Sequence, residues 1–360
     1  MSGVVCAGSI VVDVGKIIEA YPPLDHITTI EDVSLSTGGP GLNMAVDLRA
    51  LGATFPLVML GAVGDDQHGA FVLDECARLG IDAAGVERLP GVATSFTDAM
   101  VERVGGRRTF FHHIGANGRF DGAVAALPEA RILHVGAPGL HPLMDAPTAD
   151  GNGWSALLRR ARSAGMHTNM ELVSIAPDRL VEVAAPCLPH LSSIVVNELE
   201  AGALTGIHAP VPGPDGPVEW EALAAMARGL VERGVGLAVV HFPAGSVAAS
   251  ADGIHRHGSV RLPREQVRST VGAGDAFAAG VIYGLHEGWP VEECLRLAAA
   301  SAAACVRGQN TSDGIVSAAD CLATAESWGY RDVSPSRGTV PSAANAATTA
   351  TAASSTKTPG

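Results

Sequence analysis

The chain has 360 residues, of which 47% are hydrophobic and 17% are charged, and its formal net charge is −13. A sequence of this length and composition can bury a large core, which excludes fibrous and disordered proteins. The negative net charge, without any long run of Lys and Arg, argues against binding to nucleic acid phosphates. We therefore expect small molecules as ligands, and no nucleic acid partner.

Short apolar runs alternate with helix-like segments along most of the chain. Predicted strands cover 4–14, 54–64, 130–137, 192–197 and 236–242, and predicted helices cover 39–53, 67–81, 153–166, 198–206, 219–234 and 276–288. Repeated strand and helix units of this kind predict an α/β fold with a mainly parallel sheet and helices on both faces. Ligands of such folds bind at the carboxyl ends of the strands.

Two segments interrupt this alternation. Residues 15–37 and 94–113 have the pattern of extended chain, and the second is predicted to form a hairpin around Gly105 and Gly106. We expect these segments to form a small separate sheet. After residue 329 the sequence becomes a tract of Pro, Ala, Ser and Thr without apolar periodicity, so we predict a folded domain over 1–329 and a disordered tail over 330–360.

The cysteines and the N-terminal segment indicate the compartment. The six cysteines are scattered and form no C-x-x-C pair, so we predict reduced, mostly buried thiols rather than a zinc site. The first residues lack the basic region of a signal peptide, and no apolar run reaches the roughly 18 residues that span a bilayer. We therefore predict a cytoplasmic enzyme with no membrane partner.

The stretch most indicative of chemistry is "STVGAGDAFAAG" at residues 269–280. Gly272, Ala273 and Gly274 leave little side chain at the start of a predicted helix, where free N–H groups and the helix dipole attract an anion. Asp275 follows directly. A carboxylate there suits a base that takes a proton from a hydroxyl attacking a phosphate, and it equally suits a helix cap. This motif alone leaves both interpretations open.

Five motifs in order support the first interpretation. They are "GSIVVDVG", "TGGPGLNMAVDLRALGA", "GAVGDDQHG", "VVNELEAGALTG" and "STVGAGDAF", and they extend from residue 8 to residue 277. Together they resemble the signatures of the ribokinase-like, or PfkB, family of carbohydrate kinases. The resemblance implies a ribokinase-like three-layer sandwich with a β lid, and an ATP-dependent kinase that uses Mg²⁺.

The resemblance also implies a role for each site residue. Asp275 would be the base, with Gly272, Ala273 and Gly274 holding the transferred phosphoryl group. The implied substrate-binding residues are Asp13, Gly38, Gly39 and Asn43, and the implied nucleotide-binding residues are Asn197, Thr270, Gly245, Gly272 and Gly274. Glu200 would act on Mg²⁺ through water. The alternatives are a turn cap for Asp13, a first-turn acid that complements the helix dipole for Glu200, and a dinucleotide loop for "GGPGLN".

In the resembled family the extended segments form a lid that closes over the sugar and, in many members, pairs with a second subunit, so we predict a homodimer. The phenylalanines of the hairpin are predicted to pack in a core or interface. Neighbouring His112 and His113 must point to opposite faces of a strand, and we predict that His113 faces the sugar.

The chain also departs from the family pattern. Ser269 replaces an Asp that commonly helps to hold a monovalent cation, which leaves the use of such a cation open, and Phe242 replaces the first glycine of a nucleotide loop. The Lys-Pro-Asn form usual in phosphosugar kinases is absent, so we predict an unphosphorylated sugar or polyol as substrate. A nucleoside kinase of the same fold and a catalytically silent sugar-binding regulator are the alternatives.

Overall fold

The computed structural model describes residues 2–211 and 213–333. Its strands are β1 (Val4–Gly8), β2 (Val11–Ile18), β3 (Ile30–Gly38), β4 (Leu57–Gly64), β5 (Asp82–Leu89), β6 (Phe96–Glu102), β7 (Arg108–His113), β8 (Ile132–Gly136), β9 (Pro147–Thr148), β10 (Gly151–Asn152), β11 (His167–Glu171), β12 (Ser193–Asn197), β13 (Leu237–Phe242), β14 (Gly245–Ser250) and β15 (Gly253–Gly258). Its helices are α1 (Pro40–Ala50), α2 (Gln67–Leu79), α3 (Pro142–Asp145), α4 (Gly153–Ser163), α5 (Pro177–Ala184), α6 (Glu198–Thr205), α7 (Trp220–Glu232), α8 (Ala273–Glu287), α9 (Val291–Cys305) and α10 (Ala318–Trp328).

The main sheet has nine strands in the order β15-β14-β13-β12-β11-β8-β1-β4-β5. Its pairs are parallel from β5 to β13, and the last two strands join as antiparallel hairpins. Alternation along β1 shows why helices cover both faces: Val4 and Cys6 enter one hydrophobic cluster, whereas Val5 and Ala7 enter the other. The predicted α/β sandwich is confirmed.

The predicted first strand over 4–14 is wrong in one respect, because the chain leaves the main sheet after Gly8 and starts a new strand at Val11. Gly8 has φ of 119°, and a Cβ there would lie 2.0 Å from the carbonyl oxygen of Gly136. Only a glycine allows the backbones at Gly8 and Gly136 to come this close, and the chain turns away from the main sheet at this point. β2 then joins a second sheet with the order β3-β2-β6-β7.

This small sheet contains the two segments predicted to be extended. Gly105 and Gly106 have φ of 92° and 64° in the loop between β6 and β7, a conformation that favours glycine. β6, with its "DAMV" sequence, pairs parallel to β2 and antiparallel to β7, so it is an internal strand. The edges of the small sheet are β3 and β7.

The end of the described chain packs on the domain. Tyr330 forms a bridge with Val260, and the N–H of Arg331 donates to the carbonyl of Ser259 at 2.9 Å. The tail predicted to begin at residue 330 therefore includes residues of the folded part, and its remainder, 334–360, lies outside the described residues. All six cysteines are free and buried, as predicted.

Candidate active site

The glycine-rich turn before α8 presents free backbone donors. Gly272 has φ of 81°, and a Cβ there would lie 2.5 Å from the carbonyl oxygen of Thr311, so only glycine fits. The N–H of Ala273 donates to the Thr270 carbonyl at 3.4 Å, whereas the N–H groups of Gly274 and Asp275 have no backbone acceptor among the described residues. Together with the helix dipole, these donors form a site for an anion.

Asp275, the predicted base, is tied to a different helix. Its Oδ2 accepts a hydrogen bond of 2.6 Å from Nδ2 of Asn43 on α1, and its side chain caps no N–H of α8 in the part of the chain that the structure describes. Burial raises the pKa of Asp275, and the hydrogen bond from Asn43 opposes that rise. The helix-cap interpretation of Asp275 therefore has no support in the geometry.

Asp13 and the predicted substrate glycines are packed against each other. A Cβ at Gly38 would lie 2.3 Å from Oδ2 of Asp13, so this glycine makes room for the carboxyl group. Gly39 has φ of 86°, and its Cβ would lie 2.8 Å from the carbonyl oxygen of Ser9. Burial, and then the charge of Asp275, raise the pKa of Asp13 to about 7. Gly38 thus makes room for Asp13, whereas Gly39 allows close packing against the Ser9 backbone.

Asn197 and Glu200 form a capping box at the start of α6. Asn197 Oδ1 accepts hydrogen bonds from the N–H groups of Leu199 and Glu200, each at 2.9 Å, and Glu200 Oε2 accepts from the Asn197 N–H at 3.0 Å. Burial raises the pKa of Glu200 to about 7. The Asn-x-x-Glu spacing itself could have predicted this capping box.

The sequence did not indicate two further carboxyl groups at this edge of the sheet. Glu171 ends β11 and Asp47 lies one helical turn after Asn43; they are 4% and 0% exposed, and none of their carboxyl oxygens has a hydrogen-bond partner among the described residues. Burial raises the pKa of each. The strand β11, which carries Glu171, was missed because its sequence, "HTNME", is not apolar. Asp47 could have been found from the sequence, because its spacing from Asn43 places both residues on one helix face.

The region predicted as a nucleotide loop is mostly core. Phe242 packs edge-on against Trp220, with ring centroids 5.3 Å apart. A Cβ at Gly245 would lie 2.4 Å from the carbonyl oxygen of His257, so Gly245, predicted to bind nucleotide, occupies a packing position in β14. His241 instead approaches the anion site, because a Cβ at Gly274 would lie 3.4 Å from its Cε1.

The register of the small sheet corrects the histidine prediction. Asp13 pairs with Thr97, which pairs with His112, so these three residues share one face of the sheet. Thr97 Oγ1 and His112 Nδ1 are 3.0 Å apart. His113 lies on the opposite face, where its ring packs 5.2 Å from that of Phe96. His112, rather than His113, therefore lies on the Asp13 side.

A cavity of about 680 Å³ separates the small sheet from the loops of the main domain. Asp13 and Ser36 line its wall on the sheet side, and Val271 and residues 309–311 line its wall on the domain side. Asp275 is not a lining residue, but its charge acts on Asp13. The cavity therefore lies beside the carboxylate pair.

Ser269, which stands where the family has Asp, joins the two walls. Its Oγ accepts a hydrogen bond of 3.0 Å from Nη1 of Arg108 on β7 and one of 3.2 Å from the N–H of Val271. The small sheet and the glycine-rich turn before α8 are thus connected through this serine.

Comparison with known proteins identifies the family. The family model described as "pfkB family carbohydrate kinase" matches residues 1–318. The chain belongs to the pfkB family of carbohydrate kinases. It is a sugar kinase, a phosphotransferase with an alcohol group as acceptor.

Individual relatives agree with this assignment. The kinase is 27% identical over 289 residues to a ribokinase of Schizosaccharomyces pombe, covering 79% of this chain and 85% of that one. It is 28% identical over 286 residues to an Escherichia coli protein named as an uncharacterized sugar kinase, covering 75% and 69% of the two chains.

Solved structures show the same fold. A ribokinase of Arabidopsis thaliana complexed with ribose and ATP superposes with a TM-score of 0.73 at 21% identity, covering 90% of this kinase and 98% of that chain. A nucleoside kinase of Burkholderia thailandensis in complex with inosine gives a TM-score of 0.66 at 19% identity, covering 92% of this kinase and 100% of that chain.

Across residues 2–211 and 213–333, no helix combines the length and the apolar character that a membrane span needs.

Proposed function

We propose that this kinase transfers the γ-phosphoryl group of ATP to a hydroxyl of a small, unphosphorylated sugar or polyol, with Asp275 as the base. The observation that carries this proposal is the pairing of Asp275 with free N–H groups at the start of α8, while Asn43 holds the carboxylate at 2.6 Å. A base and an anion site are thereby placed side by side.

The reaction follows from these positions. Asp275 accepts the proton of the substrate hydroxyl while the hydroxyl oxygen forms a bond to the γ-phosphorus of ATP. The bond from that phosphorus to the β-phosphate oxygen breaks, which leaves ADP. The amides of Gly274 and Asp275 donate hydrogen bonds to the transferred group, where negative charge is concentrated. Asp13 borders the cavity and is positioned to accept hydrogen bonds from other substrate hydroxyls.

The chain has suitable oxygen donors for Mg²⁺. Within residues 2–211 and 213–333, no group of three or more His, Cys, Asp or Glu side chains is arranged to hold a metal ion. Mg²⁺ bound to a nucleotide, however, needs only one or two carboxylates and keeps its waters. Glu200 and Glu171 are buried carboxyl groups, and both oxygens of Glu171 lack hydrogen-bond partners among the described residues, with His134 Nε2 at 3.8 Å from Oε1. We propose them as the metal-facing residues; bound Mg²⁺ neutralises charge on the nucleotide phosphates.

A substrate panel tests the function. Purified protein is supplied with ATP, Mg²⁺ and, separately, ribose, fructose, ketodeoxygluconate, adenosine, inosine or cytidine, and ADP release is measured. We expect a sugar to give the highest kcat/KM. Preference for a nucleoside would support a nucleoside kinase. Sugar binding by calorimetry without ADP release would instead identify a silent regulator.

We further propose that the enzyme is a homodimer through the small sheet. On the face of this sheet away from the cavity, Val33, Leu35 and Phe111 are 57%, 48% and 58% exposed. A second copy would bury these side chains and cover the edge strands β3 and β7. Light scattering at micromolar concentration should give a dimer mass, and Phe111→Ser should reduce it. The matched control is Val124→Ser, which alters a residue 76% exposed outside this sheet. A monomeric mass for the parent would refute the dimer.

A further inference from the structure

The cavity has an acidic end and a basic end. Strand alternation places Asp13 and Ile17 on the cavity face of β2, and strand register places Val101 and Arg108 on the same face beside Ile17. Four residues along a strand span about 13 Å. Arg108 is therefore at the opposite end of the sheet wall from Asp13.

A second arginine lines the cavity from the domain side. Arg268 directly precedes Ser269, is exposed, and has no side-chain hydrogen bond or ion pair with any residue in 2–211 or 213–333. Arg108 donates one hydrogen bond to the neutral Ser269 hydroxyl. Because a guanidinium has five N–H donors, the others stay available. Donors from both walls of the cavity thus remain free for a ligand.

The charged residues of the cavity wall indicate which charge the ligand carries. Lys16 also borders the cavity, but its side chain lies on the other face of β2, where it pairs with Asp98. Asp32 lies opposite Ile17 on β3 and is not a lining residue. The charged side chains that line the cavity from these faces are then Arg108, Arg268 and Asp13, and burial raises the pKa of Asp13 to about 7, so the cavity wall carries a net positive charge in a protein of net charge −13. A carboxylate, with one negative charge, does not exceed the net charge of two arginines and a partly ionised Asp13, whereas a phosphate carries up to two negative charges.

We propose that the phosphate acceptor is a sugar acid, whose carboxylate is bound by Arg108 and Arg268 while its distal hydroxyl lies toward Asp13 and Asp275. The proposal rests on the kinase function proposed above. Guanidinium groups bind carboxylates through paired, charge-assisted hydrogen bonds. Ser34, Ser36 and Asn310 line the same cavity and offer partners to the hydroxyls between the two ends.

Three acceptors that differ only at carbon 1 test the proposal: fructose, 2-ketogluconate and fructose 1-phosphate. ADP release is measured for each, with ribose and ribonate as a second neutral and acidic pair. We expect kcat/KM for each acid to exceed that for its neutral partner at least tenfold, since charge-assisted hydrogen bonds are lost in the neutral sugar. A higher kcat/KM for the neutral sugars or for fructose 1-phosphate would overturn the proposal and leave the kinase function intact.

Variants separate the arginine pair from general effects. Arg268→Gln should lower kcat/KM for 2-ketogluconate about 10- to 100-fold, mainly through KM, and leave fructose within about twofold. The matched control is Arg103→Gln, which removes the same charge from the lid at an exposed pair with Glu31. Equal losses for acid and neutral sugar in Arg268→Gln would contradict the proposal. If no acceptor releases ADP, the kinase function fails, and calorimetry of 2-ketogluconate against fructose still tests the carboxylate site: equal affinities overturn it.

Discussion

The two helices that meet at the site, α1 and α8, begin with similar glycine turns but differ in the backbone N–H groups that they leave free. Each follows a glycine in the left-handed region, Gly39 with φ of 86° and Gly272 with φ of 81°. At α1, Pro40 has no N–H, and the N–H of Leu42 donates to the carbonyl of Ser9 at 3.1 Å. At α8 the N–H of Ala273 donates to the Thr270 carbonyl at 3.4 Å, but the N–H groups of Gly274 and Asp275 have no backbone acceptor in the part of the chain described.

This difference shows which glycine turn can bind an anion. A helix start offers an anion site only where the chain leaves its N–H groups free. At the α1 start Pro40 has no N–H and the N–H groups of Leu42 and Asn43 have backbone acceptors, which leaves Gly41 without one among the described residues; the contribution of α1 is the Asn43 side chain that holds Asp275. The α8 start is free and carries the carboxylate. A glycine motif alone is therefore poor evidence for phosphate binding.

The largest expected effect comes from the carboxylate that distinguishes α8. Asp275→Asn keeps the size of the side chain but cannot accept a proton, so kcat should fall about 10²- to 10⁴-fold. Steady-state ADP release measures this, with exposed Asp150→Asn as the control for removing one charge. A kcat within about threefold of the parent would show that Asp275 is not the base.

Alanine at each glycine tests the comparison directly. Gly272→Ala and Gly39→Ala both strain a left-handed residue and meet a backbone oxygen, at 2.5 Å and 2.8 Å respectively, so each should lower the free energy of unfolding by about 1–3 kcal/mol. Only Gly272→Ala should also weaken ATP binding, at least tenfold, in calorimetry. Equal losses of ATP affinity in both variants would contradict the assignment of α8 as the anion site.

A milder variant of the same helix serves as control. At Gly274 an added Cβ would be in ordinary contact with His241, at 3.4 Å. Gly274→Ala should therefore leave the thermal midpoint unchanged or slightly raised, because alanine favours a helix. A strong loss of stability would show that the turn tolerates no side chain at either glycine.

Asn43 should set the pH dependence of the reaction. Its N–H stabilises the ionised form of Asp275 and so lowers the pKa of that carboxyl. In Asn43→Ala the pKa of Asp275 should rise, which moves the acidic limb of the kcat profile to higher pH. The measurement is kcat from pH 5 to 9. An unmoved limb would mean that the titrating group is not Asp275.

The smallest effect is expected at Asp47, which the α1 face buries without a partner among the described residues. Burial raises the pKa of its carboxyl, so its folded form holds a proton that the unfolded chain releases above about pH 4. Stability therefore falls as pH rises toward the folded pKa. Asp47→Asn cannot ionise and should exceed the parent in Tm by more at pH 8 than at pH 5. A constant difference would contradict this.

Local sequence determined much of the fold. Apolar periodicity predicted the helices α1, α2, α4, α6, α7 and α8 and the strands β1, β4, β8, β12 and β13, but not β5 or β11, because a buried face must repeat with the period of its element. The glycine pair at 105–106 predicted the β6-β7 hairpin because those positions need positive φ. The order of the motifs predicted the family.

Only the tertiary structure decided which groups meet. Asn43 and Asp275 are 232 residues apart in sequence, and Arg108 and Ser269 are 161 apart, so no local pattern records their contacts. Strand register, rather than composition, placed His112 and not His113 beside Asp13. Glu171 lies at the site because it ends β11, a strand that is buried in the sheet although its sequence is largely polar. Periodicity follows from the local backbone, whereas a site at the end of a parallel sheet is assembled from distant segments by packing.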